Sequence, residues 1–417
     1  MSTPHGWPSA PVSSPAALAR GLTTPTRNDG ERWACGWSDP CKRSYVLDWL
    51  NEGLRPGRPG RLESEYPHLF STDSKAVAIT CFKGPEPVAF CILWPTRFEL
   101  ARGTLGAGLI SLVFTDPRER GQGLARRVVR RAIAETRAQG LGLCLLWSDP
   151  ALSDFYRSQG FTRAGNETLL AVDRQTISAG LAAKTDGSLR SDEVLRIAPA
   201  REEDWPSILA LRARRACHAP LDGHARTWLA IPDLDIRVAR DSRGVAGFAM
   251  RGRGDDFQGV IHEWGGDPEA VLRCCEILLA QQPEDGGLLV LAPRETCALT
   301  WRLRSAGARV VRSSLAWFQI ACAEALGRDL ASMVPELAAL ELSEIEDPAA
   351  DTARLRIANR KTANVLEVEF EDWLATLFGD ASAGETQRAR TRTSRVLPEA
   401  AKSKLPLPLF VWGLESI

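Results

Sequence analysis

The chain has 417 residues, 44% hydrophobic and 25% charged, enough for two or three domains with cores of their own and unlike disordered or collagen-like chains. Lys+Arg 52 against Asp+Glu 52 gives a net charge of +0, so neither nucleic acid nor a membrane surface is an expected partner. The ten cysteines include no Cys-x-x-Cys pair, and several sit in apolar runs such as Ala89–Leu93; they read as buried thiols in a reducing compartment.

Residues 1–30 are rich in Pro, Ser and Thr and lack periodicity, so a disordered tail is expected there; they also lack the basic-then-apolar order of a signal peptide. With no apolar run near the roughly 18 residues of a membrane span, the expected address is cytoplasmic. Arg43–Gly53 predicts a helix, with Val46, Leu47 and Leu50 on one face and the Gly-Pro cluster Gly53–Gly60 after it. Ala76–Phe82 and Pro87–Pro95 flank Lys83-Gly84-Pro85-Glu86 as a hairpin. Next come a strand at Leu109–Thr115, a helix at Leu124–Gln139 stopped by Gly140, and an apolar strand at Leu141–Trp147. A helix at Pro150–Gln159, stopped by Gly160, and a last strand at Phe161–Val172 complete an α/β unit with a mixed sheet over 31–175.

The polar stretch 176–192 reads as a linker, after which the order of elements repeats over 193–324. That second run has strands at Val194–Ile197, Asp235–Val238, Val245–Arg251, Gly259–Trp264, Gly287–Leu291 and Ala308–Ile320, with helices at Glu202–Arg215, Pro268–Gln281 and Glu295–Ser305. Residues 325–417 form a small C-terminal α+β segment, with strands near Leu355–Ala358 and Val365–Phe370, a helix near Glu371–Phe378 and an apolar end, Leu405–Trp412.

The strongest chemical signal is Val113-Phe114-Thr115-Asp116-Pro117-Arg118-Glu119-Arg120-Gly121-Gln122-Gly123-Leu124-Ala125-Arg126, a strand, a tight turn and a helix start. Small residues at 121, 123 and 125 let a ligand approach the backbone, and the first N–H groups of the helix have no internal partners. Free donors at a positive dipole end suit a pyrophosphate, with Arg120, Arg126, Arg127, Arg130 and Arg131 adding positive potential. The alternative is a plain strand-to-helix turn with a solvated Arg-rich face.

The spacing Arg120-x-x-Gly123-x-Ala125, followed by Asp154-Phe155-Tyr156-Arg157-Ser158-Gln159-Gly160-Phe161, resembles the GNAT superfamily of acyl-CoA-dependent N-acetyltransferases. The resemblance implies two tandem GNAT-like mixed-sheet domains and acetyl-CoA as co-substrate, without a metal. It also implies that Arg120 and the backbone of Gly121, Gln122, Gly123, Leu124, Ala125 and Arg126 hold the pyrophosphate. Val113, Phe114 and Thr115 would hydrogen-bond the pantetheine arm, and Tyr156 would protonate the departing thiolate. The acceptor would be a small-molecule or peptide amine. Tyr156 has an alternative role as an interior ring, and the chain an alternative role as a non-catalytic acyl-CoA sensor or scaffold.

Many relatives carry a Glu on the strand before the turn, whereas Leu109–Thr115 offers only Ser111 and Thr115; Glu65, Glu167 or a water chain remain as bases. His68 reads equally as a loop histidine or a ligand, and His218, His224 and His262 have no partner at metal-ligand spacing. The second run reads Val260-Ile261-His262-Glu263-Trp264-Gly265-Gly266-Asp267-Pro268-Glu269-Ala270 at the corresponding junction, with acids where a phosphate would bind. No tyrosine stands in Thr300–Gly307, so this copy is expected to be degenerate. The layout also resembles the enhanced intracellular survival family of acetyltransferases, which implies a sterol-carrier-like third domain and a C-terminal carboxylate, here that of Ile417, as base. The plainer reading of Leu405–Trp412 is an extra strand against one of the sheets.

Overall fold

The computed structural model describes residues 31–36, 40–58, 60–183, 194–221, 225–293, 297–345, 354–380 and 383–416. The expected tail over 1–30, the linker residues 184–192 and Ile417 lie outside them.

The first run contains β1 (Glu31–Cys35), β2 (Val77–Lys83), β3 (Glu86–Leu100), β4 (Gly103–Thr115), β5 (Leu143–Leu146), β6 (Thr162–Ala164) and β7 (Glu167–Val172). The second contains β8 (Arg196–Pro199), β9 (Cys217–His218), β10 (Asp235–Asp241), β11 (Gly244–Arg253), β12 (Asp256–Gly266), β13 (Leu288–Pro293), β14 (Arg309–Ser313) and β15 (Ala316–Ile320). The C-terminal segment adds β16 (Leu340–Ile345), β17 (Arg354–Asn359) and β18 (Val365–Glu369).

These strands form three sheets, with β1-β2-β3-β4-β5-β15-β6 in the first and β9 beside β3, β14-β7-β13-β12-β11-β10-β8 in the second, and β16-β17-β18 in the third. The first two exchange strands. Sequence periodicity predicts Phe161–Val172 and Ala308–Ile320 as single closing strands, but each breaks in the middle. β7 pairs with β13 and β14 in the second sheet, while β15 pairs with β5 and β6 in the first. The two chains cross at Gly165, whose φ is +72°, and a Cβ there would lie 2.8 Å from Leu315 Cβ. Each α/β unit is therefore completed by residues of the other.

The helix Leu124–Ala138 lays Leu124, Val128, Val129 and Ala132 on one face of the first sheet, against Cys91, Leu93, Ile110 and Cys144. Its apolar residues recur at helical spacing and its arginines face outward, which is why it forms and docks here. The helix Pro268–Ala280 occupies the corresponding place on the second sheet, packing on β10 and β11. A helix at Arg174–Ala182 takes up the first residues of the expected linker, its Asp173 cap accepting from Thr176 N at 2.7 Å.

The third sheet is antiparallel and carries the helix Phe370–Phe378, of which Trp373, Leu374 and Leu377 are fully buried. A helix at Ala323–Met333 ties this segment to the first sheet, with Gly106 N donating to Asp329 Oδ2 at 2.8 Å. The strand expected at Leu405–Trp412 is not formed. The segment is buried without a ladder, anchored by Leu407 N to Leu377 O at 2.6 Å, and it leads to Gly413, whose N–H meets His262 O at 3.2 Å.

Candidate active site

β4 and β5 run parallel and pair only over Ala107–Leu109 and Leu143–Leu145. Beyond Leu109 the ladder stops, and β4 carries a bulge there. Two bulge residues, Leu112 (φ 50°) and Val113, oppose Cys91 alone in the register between Ile92–Ser111 and Phe90–Phe114. The β4 edge that runs on unpaired from Leu109 to Thr115 defines a slot with its apex at Leu109. Val113, Phe114 and Thr115 line the β4 wall; the Phe114 side chain is buried against Trp49, so this residue offers the slot only its backbone. Thr115 Oγ1 on one wall and Ser148 Oγ just past the other are buried and have no hydrogen-bond partner. Orphaned hydroxyls on the two walls fit an arm rich in amides.

The turn above the slot is shaped by two glycines in the left-handed region, Gly121 (φ 79°) and Gly123 (φ 71°). Asp116 braces it by accepting from Arg118 N at 2.8 Å. Gly123 is the N-cap of the helix Leu124–Ala138, and no side chain caps the helix, so its first N–H groups stay open. A Cβ on either glycine would meet nothing within 4 Å. Glycine is required here by φ and by the open space in front of the turn, not by a neighbour.

The side chains around the turn divide. Arg120 is exposed and has no bonded partner among the described residues, and Arg126 has only a 3.4 Å contact to Ser158 Oγ. Arg127 is committed to Glu31, with Nη2 to Oε1 at 3.0 Å, and Arg131 lies over Trp33 at 4.3 Å. Gln122 is tied to Lys83 and Glu119 at 2.7 Å each, leaving its backbone. Leu124 is buried beneath the helix, and Ala125 is small enough not to obstruct the backbone. The arrangement can hold a pyrophosphate on backbone donors with the exposed Arg120 and Arg126 as counter-charges.

Tyr156 sits at the end of the helix Ser153–Arg157 and is 4% exposed. Its ring packs edge-on to Phe155 (4.9 Å) and Phe161 (5.9 Å) and lies 6.4 Å from Trp317, which reaches this core on the exchanged β15. Trp317 could not be assigned to this site from sequence, since nothing in Ala316–Ile320 says which sheet it joins. Burial, with a smaller contribution from Cys91, pushes the Tyr156 phenol well above its ordinary pKa. Its hydroxyl has no hydrogen-bond partner among the described residues.

The candidate bases lie elsewhere. Glu65 is fully buried, bound to Arg55 at 2.8 Å and Arg61 at 2.6 Å, and it accepts from Asp255 N at 3.1 Å. Glu167 went with β7 into the second sheet, where Ser313 Oγ donates to it at 2.8 Å and burial pushes its carboxyl up to about 7. Among the described residues no three His, Cys, Asp or Glu side chains come together as a metal site, and no helix is long and apolar enough to cross a membrane.

The second sheet repeats the slot and closes it. β12 and β13 pair only at Val260–Leu289 and Ile261–Val290, but Trp264 Nε1 donates to Leu291 O at 2.8 Å across the opening. Asp267 caps the following helix, accepting from Glu269 N at 2.8 Å and Ala270 N at 3.2 Å. A carboxylate therefore stands where the first copy leaves free donors. The C-terminal segment fills the remaining space. Leu414 N donates to Glu263 Oε1 at 3.2 Å, and Trp412 meets Trp264 edge-on at 5.2 Å. Glu263 is held ionised between Arg212 (3.2 Å) and Arg215 (2.7 Å), which overcome the penalty of its burial.

Residues 76–163 match the profile of the acetyltransferase (GNAT) domain. No curated protein matches the chain. Among solved structures, it is similar to a conserved protein of unknown function from Enterococcus faecalis V583 described as a probable N-acyltransferase, with 12% identity and a TM-score of 0.60, covering 92% of this chain and 97% of that one. A GCN5-related N-acetyltransferase from Anabaena variabilis ATCC 29413 matches with 13% identity and a TM-score of 0.55, covering 91% and 97%. Eis1 from Mycobacterium abscessus matches with 14% identity and a TM-score of 0.51, covering 92% and 98%. At these identities the structures show a shared fold over nearly the whole chain. Residues 76–163 thus form an acetyltransferase (GNAT) domain, within a chain whose overall fold is that of these acyltransferase structures. Its second copy has the same kind of sheet without an open turn.

Proposed function

We propose that the protein is an acetyl-CoA-dependent N-acetyltransferase that uses the first copy alone. The observation that carries this reading is the slot that opens above Leu109 beneath an uncapped helix N-terminus. In this reading Gly121 to Arg126 hold the pyrophosphate on backbone N–H groups and Arg120 pairs with it. The β4 edge from Val113 to Thr115 binds the pantetheine arm as an added strand. The bulge at Leu112–Val113 supplies a backbone N–H that polarises the thioester carbonyl, a contribution usually worth several kcal/mol where solvent is excluded.

The amine nitrogen bonds to the carbonyl carbon as the carbon–sulfur bond breaks. Tyr156 donates its proton to the departing sulfur and regains one from the nitrogen by way of solvent. Burial keeps the phenol in its O–H form, ready as a donor. Neither Glu65, saturated by ion pairs, nor Glu167, which lies in the second sheet, takes the amine proton. The loss of these two candidate bases favours the second reading, an acyl-CoA sensor. A thiol-release assay with acetyl-CoA and a panel of amines separates the two: the transferase releases coenzyme A only when an amine is present, and the sensor binds acetyl-CoA without turnover.

A further inference from the structure

Arg253 is an unusual charge among the described residues. It is 2% exposed, yet no carboxylate pairs with it among the described residues. Nearby arginines are treated differently, with Arg212 paired to Glu263 and Glu415 and Arg215 to Glu263. The acids closest to Arg253 in the chain are spoken for: Asp255 is bound by Arg58, and Asp256 accepts from the Tyr66 hydroxyl. A buried, always-charged guanidinium without a counter-charge is expensive, so its persistence asks for a ligand.

The free part of the guanidinium has a definite shape. Nη1 is used up by Gly413 O at 2.6 Å and Ser416 O at 2.9 Å. Nη2 has only Ser416 Oγ at 3.4 Å, and Nε is buried without any partner. The Nε–Nη2 edge is one of the two edges that match a carboxylate bidentately. The plane lies over Tyr66 at 4.6 Å and over Phe257 at 5.3 Å, which orients that edge.

Tyr66 also has a second unsatisfied group beside it. The His68 ring is 6.4 Å from Tyr66, stacks on Trp228 at 5.3 Å and meets Trp94 edge-on at 4.6 Å, and both its nitrogens are buried without partners. Trp94 pairs with Leu109, the apex of the slot, and its side chain belongs to the face of the sheet away from the helix Leu124–Ala138. Successive contacts from Leu109 to Trp94, His68, Tyr66 and Arg253 therefore lead from the apex of the slot to the unpaired edge, along the seam where Trp228 and Arg253 of the second run meet the first.

We propose that this seam is the acceptor subsite and that Arg253 receives a carboxylate of the amine substrate, with His68 bonding the same molecule nearer the slot. This rests on the acyl-transfer reading above and names its acceptor class: amines that carry a carboxylate, such as amino acids or peptide ends. The second run would then contribute substrate selection rather than a second reaction.

The test compares ω-amino acids of increasing chain length with their primary amides in the thiol-release assay. The wild type is expected to favour the best carboxylate over its amide by about thirtyfold or more in kcat/KM, the low end for losing one partner of a buried charge pair. Arg253→Gln should abolish the preference through KM, and Arg253→Lys should restore part of it. Equal use of acid and amide by the wild type overturns the proposal, whether or not the variants fold. If no amine is turned over, thermal melting of the wild type with the same acids and amides decides. Stabilisation by the acid alone, lost in Arg253→Gln, keeps the anion subsite while rejecting acyl transfer. No stabilisation overturns the subsite, as does a shift seen only after Ile417 is deleted, which would give the edge to the chain's own last residue.

Discussion

Gly123 offers the sharpest separation of stability from binding. Its φ of 71° and ψ of 12° place it in the left-handed region ahead of the helix Leu124–Ala138, and a Cβ there meets nothing within 4 Å. Alanine therefore adds no clash and pays only the conformational penalty, about 1 kcal/mol or slightly more. In a chain of this size that lowers Tm by roughly 1 to 2 °C. Asparagine tolerates the left-handed region, so Gly123→Asn is expected to melt close to the wild type. Affinity should behave differently. The space in front of Gly123 is where the pyrophosphate would rest on backbone donors, so any side chain there competes with it. Both variants are expected to weaken acetyl-CoA binding by tenfold or more, about 1.4 kcal/mol, by calorimetry. If Gly123→Asn folds normally and binds acetyl-CoA as the wild type does, the pyrophosphate is bound elsewhere and the site described here is wrong.

Tyr156→Phe should cut turnover by about a hundredfold with acetyl-CoA affinity unchanged; near-normal turnover would assign Tyr156 to packing alone. Because burial raises the phenol's pKa, the wild-type rate should show no alkaline fall near the ordinary tyrosine value of about 10. Glu167 titrates at about 7 in the fold against roughly 4.3 unfolded, so the native state binds more protons between these values and stability falls as pH rises through that window. Glu167→Gln, which cannot ionise, should lose that slope and gain on the order of 3 kcal/mol over wild type at pH 8, read from urea midpoints; identical slopes would refute it. Asp267→Ala should cost about 1 kcal/mol as a lost cap and create no second acetyl-CoA site, since no Arg-bearing turn precedes that helix.

The first copy's strand, turn and helix were legible in the sequence because that geometry is local. A strand, a glycine turn and a helix within Val113–Arg126 specify their own geometry, and the structure keeps Gly121 and Gly123 in the left-handed region that only such a turn needs. The closed second copy was equally readable, since Asp267 at a helix start caps whatever surrounds it. What could not be read was partnership. Apolar alternation in Glu167–Val172 and Ala316–Ile320 is the same whichever sheet receives the strand, so the exchange that carries Glu167 away from the slot and brings Trp317 to Tyr156 left no local trace. The apolar end Leu405–Trp412 had the composition of a strand, yet its backbone is anchored by scattered bonds to Leu377 and His262. Arg253 and His68, far apart in sequence, become notable only once their unbonded nitrogens are seen around one ring, Tyr66.

Calorimetric titration of acetyl-CoA into the full chain tests the central claim most directly. An uncapped helix start in the first copy and an Asp267-capped one in the second predict one molecule bound per chain. Two equivalent sites, or no binding at all, would contradict it.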